Sequence, residues 1–122
     1  MPIESVQPFE VRVERRDGAV VLEFVGEFDL ATREDAATAL ANVISDAPRV
    51  IVVNLQGLSF IDSTGLHCLV RAKALADAVG TRLAILNGSG PAHRLLSLTR
   101  MDDLIEMVDD LAQLDTPVVS AA

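Results

Sequence analysis

The sequence contains neither tryptophan nor tyrosine, and its aromatic content of 3% comes from four phenylalanines. Half of the 122 residues are nevertheless hydrophobic. A core must therefore be built mainly from leucine, valine, isoleucine and alanine. So much apolar material excludes an intrinsically disordered chain, and the length fits one domain and leaves no room for two.

Basic residues are also scarce, with 10 Lys and Arg against 18 Asp and Glu, which gives a formal net charge of −8. This balance argues against binding to nucleic acid or to an anionic membrane surface. The single cysteine, Cys68, cannot form an internal disulfide. No aliphatic run approaches the roughly 20 residues that span a bilayer, and the first residues do not resemble a signal peptide. We therefore expect a soluble, cytoplasmic protein.

The first third of the chain predicts a β-hairpin followed by a helix. Apolar and polar residues alternate over Phe9–Arg15, Asp17-Gly18 supplies a turn, and Ala19–Val25 is a second, antiparallel strand. A helix is expected from Thr32, capped by Thr32 with Asp35 and ended by Pro48. Its predicted inner face consists of Ala37, Leu40, Ala41 and Ile44.

Strands and helices alternate after this point, which is typical of parallel pairing through right-handed crossovers. Val50–Leu55 is a continuous apolar strand, expected to be buried on both faces. A loop is predicted over Gln56–Asp62, followed by a helix over Ser63–Val79 that ends at Gly80. The predicted inner face of this helix consists of Leu66, Leu69, Ala76 and Val79. The remaining predicted elements are a strand over Arg82–Leu86, a turn over Asn87–Pro91, a helix over Ala92–Thr99, a strand over Ile105–Val108 and a brief helix over Leu111–Leu114.

These elements predict an α/β (α+β) fold. A single mixed sheet of four to five strands opens with an antiparallel hairpin, and about four helices pack against it. The domain is expected to span residues 9–114, after an N-terminal extension over 1–8 and before a C-terminal tail over 115–122.

Motifs for catalysis and metal binding are missing from the sequence. No glycine-rich phosphate loop ending in Lys-Ser/Thr is present. His67 and His93, with one cysteine, do not have the spacing of a metal site. Ser63 lies at a strand–loop–helix corner, but Ile61 stands where a nucleophile elbow needs glycine. We therefore expect no enzymatic activity, no metal and no cofactor.

The residues Asp62-Ser63-Thr64 stand where a helix begins after a central strand. The first backbone N–H groups of a helix lack partners, and the helix dipole places about half a positive charge there. Asp62 or Ser63 is suited to cap these groups. Alternatively, a phosphate on Ser63 would add about −1.5 to −2 charges at a position prepared for anions. The residues alone leave both interpretations open.

Two short blocks resemble one family. Phe60-Ile61-Asp62-Ser63-Thr64-Gly65-Leu66 is similar to the signature of the STAS domain in bacterial anti-sigma factor antagonists. Gly26-Glu27-Phe28-Asp29-Leu30, which we place just after the second strand, resembles the family's other hallmark. The order of strands and helices also matches from about Phe9 to Leu114, so a STAS-like fold is implied.

The resemblance implies regulation by partner switching. In the family, the first hydroxyl of the Asp-Ser-Ser/Thr-Gly block is phosphorylated by an anti-sigma factor that is a serine kinase. Carried over, the acceptor is Ser63, with Thr64 as a second candidate. The unmodified protein would bind the anti-sigma factor and free the sigma factor, and a phosphatase would reset the modified form. The kinase would supply ATP and Mg²⁺. The partner-binding residues implied are Asp29, Asp62, Ser63, Thr64, Gly65, Leu66 and His67.

Several roles have an ordinary structural alternative. The functional role expected for Asp29 is contact with the partner or its nucleotide, and the alternative is an ordinary loop carboxylate. The functional role expected for Asp62 is to orient the Ser63 hydroxyl or to approach the kinase Mg²⁺, and the alternative is a helix cap. His67 is expected to lie on a helix face near the site, since a lone histidine is rarely a ligand, and Cys68 is expected to be a small buried residue.

The whole protein has alternative functions too. One is a STAS scaffold or sensor that does not switch, in a stress-signalling or lipid-transport assembly. A response-regulator receiver is disfavoured because Arg15-Arg16 stands where it needs an acidic pair, and the only lysine, Lys73, is in mid-helix.

Overall fold

In the described part of the chain, five strands form one mixed sheet, and each strand pairs with the next one along the chain. The computed structural model describes residues 8–86 and 91–114, so the expectations for residues 1–7, 87–90 and 115–122 lie outside the described part. The elements are β1 (Glu10–Arg16), β2 (Ala19–Phe28), α1 (Arg33–Ile44), β3 (Val50–Ile61), α2 (Ser63–Ala78), β4 (Arg82–Leu86), α3 (Pro91–Leu98), a 3-10 helix (Met101–Asp103), β5 (Glu106–Val108) and a second 3-10 helix (Leu111–Leu114). The predicted fold class is confirmed.

The hairpin between β1 and β2 is confirmed. Asp17 and Gly18 both have positive φ, 36° and 82°, which is typical of the two-residue turn that follows the twist of the strands. Arg16 faces Ala19, and the antiparallel register continues without interruption to Glu10 opposite Val25. All other neighbouring strands pair in parallel.

The central strands are longer than predicted. β2 continues past Val25 to Phe28, so Gly26–Phe28 lies within the strand and not after it. β3 continues past Leu55 to Ile61, so the loop predicted over Gln56–Asp62 is wrong up to Ile61. The pairing of β2 with β3 shifts its register twice, between Glu23 and Val25 and between Gly26 and Glu27, and then continues to Phe28 opposite Ile61. Such irregularities disturb the apolar alternation from which strands are predicted.

Residues pack against both faces of the sheet, so the expected burial of both faces of β3 is confirmed for its apolar first half. Ile51, Val53 and Leu55 belong to a core that also contains buried residues of α1, α2 and α3. Val50 and Val52 point to the opposite face, where Leu114 and the partly buried Leu111 of the second 3-10 helix pack. The three α-helices therefore cover one face, and the other face has a smaller cover.

Details of the helices differ from the prediction. The buried face of α1 contains Ala36, Leu40, Val43 and Ile44, so Ala37 and Ala41 were placed inward wrongly. The predicted and the observed inner faces both have helical spacing, and alanine is small enough to occur on either face of the helix. Thr32 does not cap α1 with its side chain, because its hydroxyl donates to the Glu27 carbonyl instead, at 2.9 Å.

The helix ends differ as well. α1 ends at Ile44, before Pro48. Val79 is exposed, although Gly80 does follow the end of α2 with a φ of 76°. The described part has three α-helices, and the predicted fourth is the 3-10 helix Leu111–Leu114.

The edge strand β5 is tied to β4 by an ion pair. Arg82 donates to Glu106 through Nε at 2.8 Å and Nη2 at 2.6 Å. The hydrogen bond from Arg82 is the main reason that the pKa of Glu106 lies below its ordinary value, against a smaller opposing effect of burial. A carboxyl group with a lowered pKa stabilises the fold above its unfolded pKa, and this contribution is lost as the pH falls through the folded pKa.

We expect Glu106→Gln to lower the free energy of unfolding at neutral pH by no more than about 1 kcal/mol, because the pair is partly exposed. The difference from the unmodified protein should disappear in acid, once Glu106 is protonated in both states. Urea unfolding at neutral and acidic pH measures both values, and Glu27→Gln, at an exposed glutamate of β2 away from the helix ends, is the matched control. A difference that persists in acid would show that the ion pair is not its cause.

Candidate functional site

The ends of β2 and β3 bring the two sequence blocks together. Phe28 is the register partner of Ile61, and the Asp62 N–H donates to the Phe28 carbonyl at 3.3 Å. Asp29 and Asp62 thus begin adjacent segments at the same edge of the sheet. This is the carboxyl edge, where ligands and partners of open α/β sheets commonly bind.

Asp62 caps helix α2. Its backbone is extended, and its Oδ1 accepts a hydrogen bond from the Gly65 N–H at 3.1 Å. The Asp62 carbonyl accepts from the Leu66 N–H, also at 3.1 Å, which begins the helical ladder. Of the two candidate caps, Asp62 is therefore the one used, and an aspartate at this position is worth about 1 kcal/mol.

Ser63, the first residue of α2, is exposed. Within the described part of the chain its hydroxyl takes no part in the capping bonds, which all belong to Asp62. The side chain is therefore accessible from solvent at the edge of the sheet. Thr64 is only half-buried and lies beside it.

Asp29 orders the loop between β2 and α1. Its Oδ1 accepts a hydrogen bond from the Ala31 N–H at 3.0 Å, and its own N–H donates to the Thr32 hydroxyl oxygen at 3.0 Å. These bonds are typical of an aspartate that closes a local turn. The side chain remains half-buried, beside the segment that carries Ser63.

Gly65 and Leu66 lie beneath the surface. A Cβ on Gly65 would stand 2.9 Å from Ile61 Cγ1 and 3.1 Å from the Phe28 ring, and Leu66 is only 3% exposed. Both residues hold α2 against the sheet. Of the seven partner-binding residues implied by the resemblance, these two are therefore too buried to contact a partner directly.

His67 lies on a groove between α1 and α2. The groove has a volume of about 770 Å³, and Thr64, Arg33 and Arg71 also line it. Cys68 lies at its base, buried as predicted, and burial raises the pKa of its thiol despite the opposing charges of Arg33 and Arg71. Within residues 8–86 and 91–114, no group of three His, Cys, Asp or Glu side chains could hold a metal ion.

Two exposed apolar side chains near the strand ends were not identified as site residues from the sequence. Leu30, in the loop after β2, is 68% exposed, and Phe60, which pairs with Glu27 near the end of β3, is 45% exposed. Both belong to the sequence blocks described above, but an apolar residue in a strand or loop gives no sign of exposure by itself. We call Asp29, Leu30, Phe60, Asp62 and Ser63 the Ser63 surface.

The chain is similar to known proteins over most of its length. The family model of the STAS domain matches residues 10–114. An anti-sigma-B factor antagonist of Staphylococcus aureus (strain NCTC 8325) is 33% identical over 82 residues, which are 67% of this chain and 76% of that protein. The chain therefore belongs to the STAS domain family, among the anti-sigma factor antagonists.

Solved structures share the fold. The anti-sigma factor antagonist of Mycobacterium paratuberculosis aligns with a TM-score of 0.82 at 24% identity, over 91% of this chain and 94% of the other. The Bacillus cell fate determinant SpoIIAA in its phosphorylated form aligns with a TM-score of 0.66 at 21% identity, over 87% of this chain and 97% of the other.

No helix in the described part of this chain is long and apolar enough to cross a membrane.

The close packing at Gly65 generates a testable prediction. Replacing glycine by alanine inside a helix ordinarily stabilises it by about 1 kcal/mol. At Gly65 the new methyl group would collide with Ile61 and Phe28, so Gly65→Ala should instead destabilise the protein by about 1–3 kcal/mol. Urea unfolding measures this, and Ser63→Ala, at the exposed neighbouring position, should stay within about 0.5 kcal/mol of the unmodified protein. Stabilisation by Gly65→Ala would contradict the packing described.

Proposed function

We propose that this protein is a non-catalytic, cytoplasmic antagonist that binds an anti-sigma factor through the Ser63 surface and thereby frees a sigma factor. The anti-sigma factor is a serine kinase that transfers the γ-phosphoryl group of its own Mg²⁺-bound ATP to Ser63. The phosphorylated form releases the kinase, and a serine phosphatase restores the binding form. The relatives' names support the class of partner, and the existence of a phosphorylated form of SpoIIAA supports modification as the control.

The exposed hydroxyl of Ser63, next to a cap provided by a different residue, is the observation that carries the proposal. A kinase must bring the serine oxygen in line with the γ-phosphate, and a hydroxyl used to cap a helix would first have to leave its hydrogen bond. Asp62 makes the capping bond, so Ser63 can be modified without loss of the cap. The start of α2 also presents the positive end of its dipole to the added phosphate.

The chemistry of the Ser63 surface explains why a phosphate would prevent binding. Leu30 and Phe60 offer exposed apolar area, and covering such area with a partner excludes water from the contact. A phosphate on Ser63 would add about −1.5 to −2 charges at this place. Removing that charge from water without a matched cation costs several kcal/mol. The carboxylates of Asp29 and Asp62 are of like sign and add to the cost.

The acceptor can be tested with the serine-kinase anti-sigma factors of the source organism, ATP and Mg²⁺. We expect one phosphate on the unmodified protein and on Thr64→Ala, and none on Ser63→Ala, because Ser63 is exposed whereas Thr64 is half-buried. Intact mass measurement and site mapping give the result. Stoichiometric phosphate on Ser63→Ala would exclude Ser63 as the acceptor, and loss of phosphate in Thr64→Ala alone would identify Thr64.

The effect of charge can be separated from the effect of size at Ser63. Ser63→Asp should weaken binding to the anti-sigma factor by about 2 kcal/mol or more, because a carboxylate would be desolvated in the contact. Ser63→Asn has nearly the same size without the charge and should bind more tightly than Ser63→Asp. Titration calorimetry measures both. Equal affinities of the two variants would argue against control by charge, and equal affinities of all three proteins would favour a STAS scaffold that does not switch.

A further inference from the structure

Strand β1 leaves one edge of the sheet open. Its residues pair with β2 on one side only, and no strand within residues 8–86 and 91–114 pairs with its other side. In a hairpin with a two-residue turn, the residues flanking the turn exchange hydrogen bonds, and every second pair does so after them. The N–H and C=O groups of Val11, Val13 and Arg15 therefore point away from β2, into the open edge.

This edge lacks three of the features that usually prevent strands from pairing. Natural edges are protected by bulges, by proline within the strand, by short length and by charged side chains, and of these β1 has only the charged side chains. β1 has seven residues, contains no proline and pairs with β2 without a register shift. Val13 is 49% exposed at the middle of the strand.

The charges on one face of β1 alternate in sign. They are Glu10, Arg12, Glu14 and Arg16, and all four side chains are on the same face because successive residues of a strand alternate. Within the chain, Arg12 pairs with Glu10 at 3.0 Å, and Arg16 with Glu14 at 2.8 Å. A row of this kind is complementary to a reversed copy of itself.

We propose that two copies of this chain associate through β1, antiparallel, about a two-fold axis at Val13. In this register Arg12 faces Glu14 of the second copy, and Glu10 faces its Arg16. The outward groups of Val11, Val13 and Arg15 in the two copies would form about six hydrogen bonds, and the two Val13 side chains would cover each other. The result is a continuous sheet of ten strands, built from the five strands of each copy.

The charges select this register over its neighbours. Moving one strand by two residues in either direction places Arg12 opposite Arg12 or Arg16, and Glu14 opposite Glu10 or Glu14. A parallel arrangement in register places each charge opposite its own kind. Like charges directly opposite each other destabilise a strand pair. Since a single strand edge is a small interface, the dimer should be weak and dependent on concentration.

Charge reversal tests the pairing by sedimentation velocity, up to about 1 mM protein, where even millimolar complexes are populated. The unmodified protein should dimerise. Arg12→Glu and Glu14→Arg should each dimerise at least tenfold more weakly, because each places two like pairs in the interface. An equimolar mixture of these two variants should dimerise again, because every facing pair is then of opposite sign. Arg94→Glu and Asp102→Arg, at exposed positions outside β1, carry the same changes of net charge and should dimerise normally.

Amide hydrogen exchange of the unmodified protein provides a test that needs no variant. The amides of Val11, Val13 and Arg15 should exchange rapidly at low concentration and more slowly as the protein is concentrated, while those of Arg12 and Glu14, bonded to β2, stay protected throughout. A protein that remains monomeric, single variants that dimerise normally, a mixture that dimerises no better than its components, or exchange at Val13 that does not depend on concentration would each overturn the proposal.

Discussion

The hydrogen bond from the Asp62 N–H to the Phe28 carbonyl fixes the geometry on which the functional site depends. It continues the parallel pairing of β2 and β3 to the point at which both chains leave the sheet. The loop after β2 and the first turn of α2 are therefore held side by side, although about thirty residues separate them in the sequence. Gly65 completes the arrangement, since only the absence of a side chain lets α2 pack directly against Ile61 and Phe28.

Adjacent residues at this corner have separate roles. The Asp62 carboxylate satisfies the first turn of the helix, and the neighbouring Ser63 side chain remains exposed. A phosphate on Ser63, as proposed above, would therefore leave the capping bond of Asp62 intact and would act on binding at the Ser63 surface. Regulation of binding by a charge, without a change of shape, requires a rigid support of this kind.

The sequence predicted the order of elements well, because each strand and helix has its own apolar period and the Asp17-Gly18 turn and Gly80 have clear backbone preferences. It failed where the period was interrupted. The second halves of β2 and β3 contain Gly26, Gly57 and polar residues. They remain paired with a shifted register, which the sequence of one strand alone does not reveal. The rotation of α1 was also wrong, since alanine is tolerated on either face. At the site, the residues were identified by resemblance, whereas the choice of Asp62 over Ser63 as the helix cap and the exposure of Leu30 and Phe60 needed coordinates.

In the proposed function, one phosphate on Ser63 decides whether the anti-sigma factor can bind. The most direct measurement compares the protein phosphorylated by its kinase, and verified by mass, with the unmodified protein in calorimetric titrations against the same anti-sigma factor in ADP and Mg²⁺. The phosphorylated form should bind at least about thirtyfold more weakly, which corresponds to about 2 kcal/mol. Equal affinities of the two forms would contradict the proposed function.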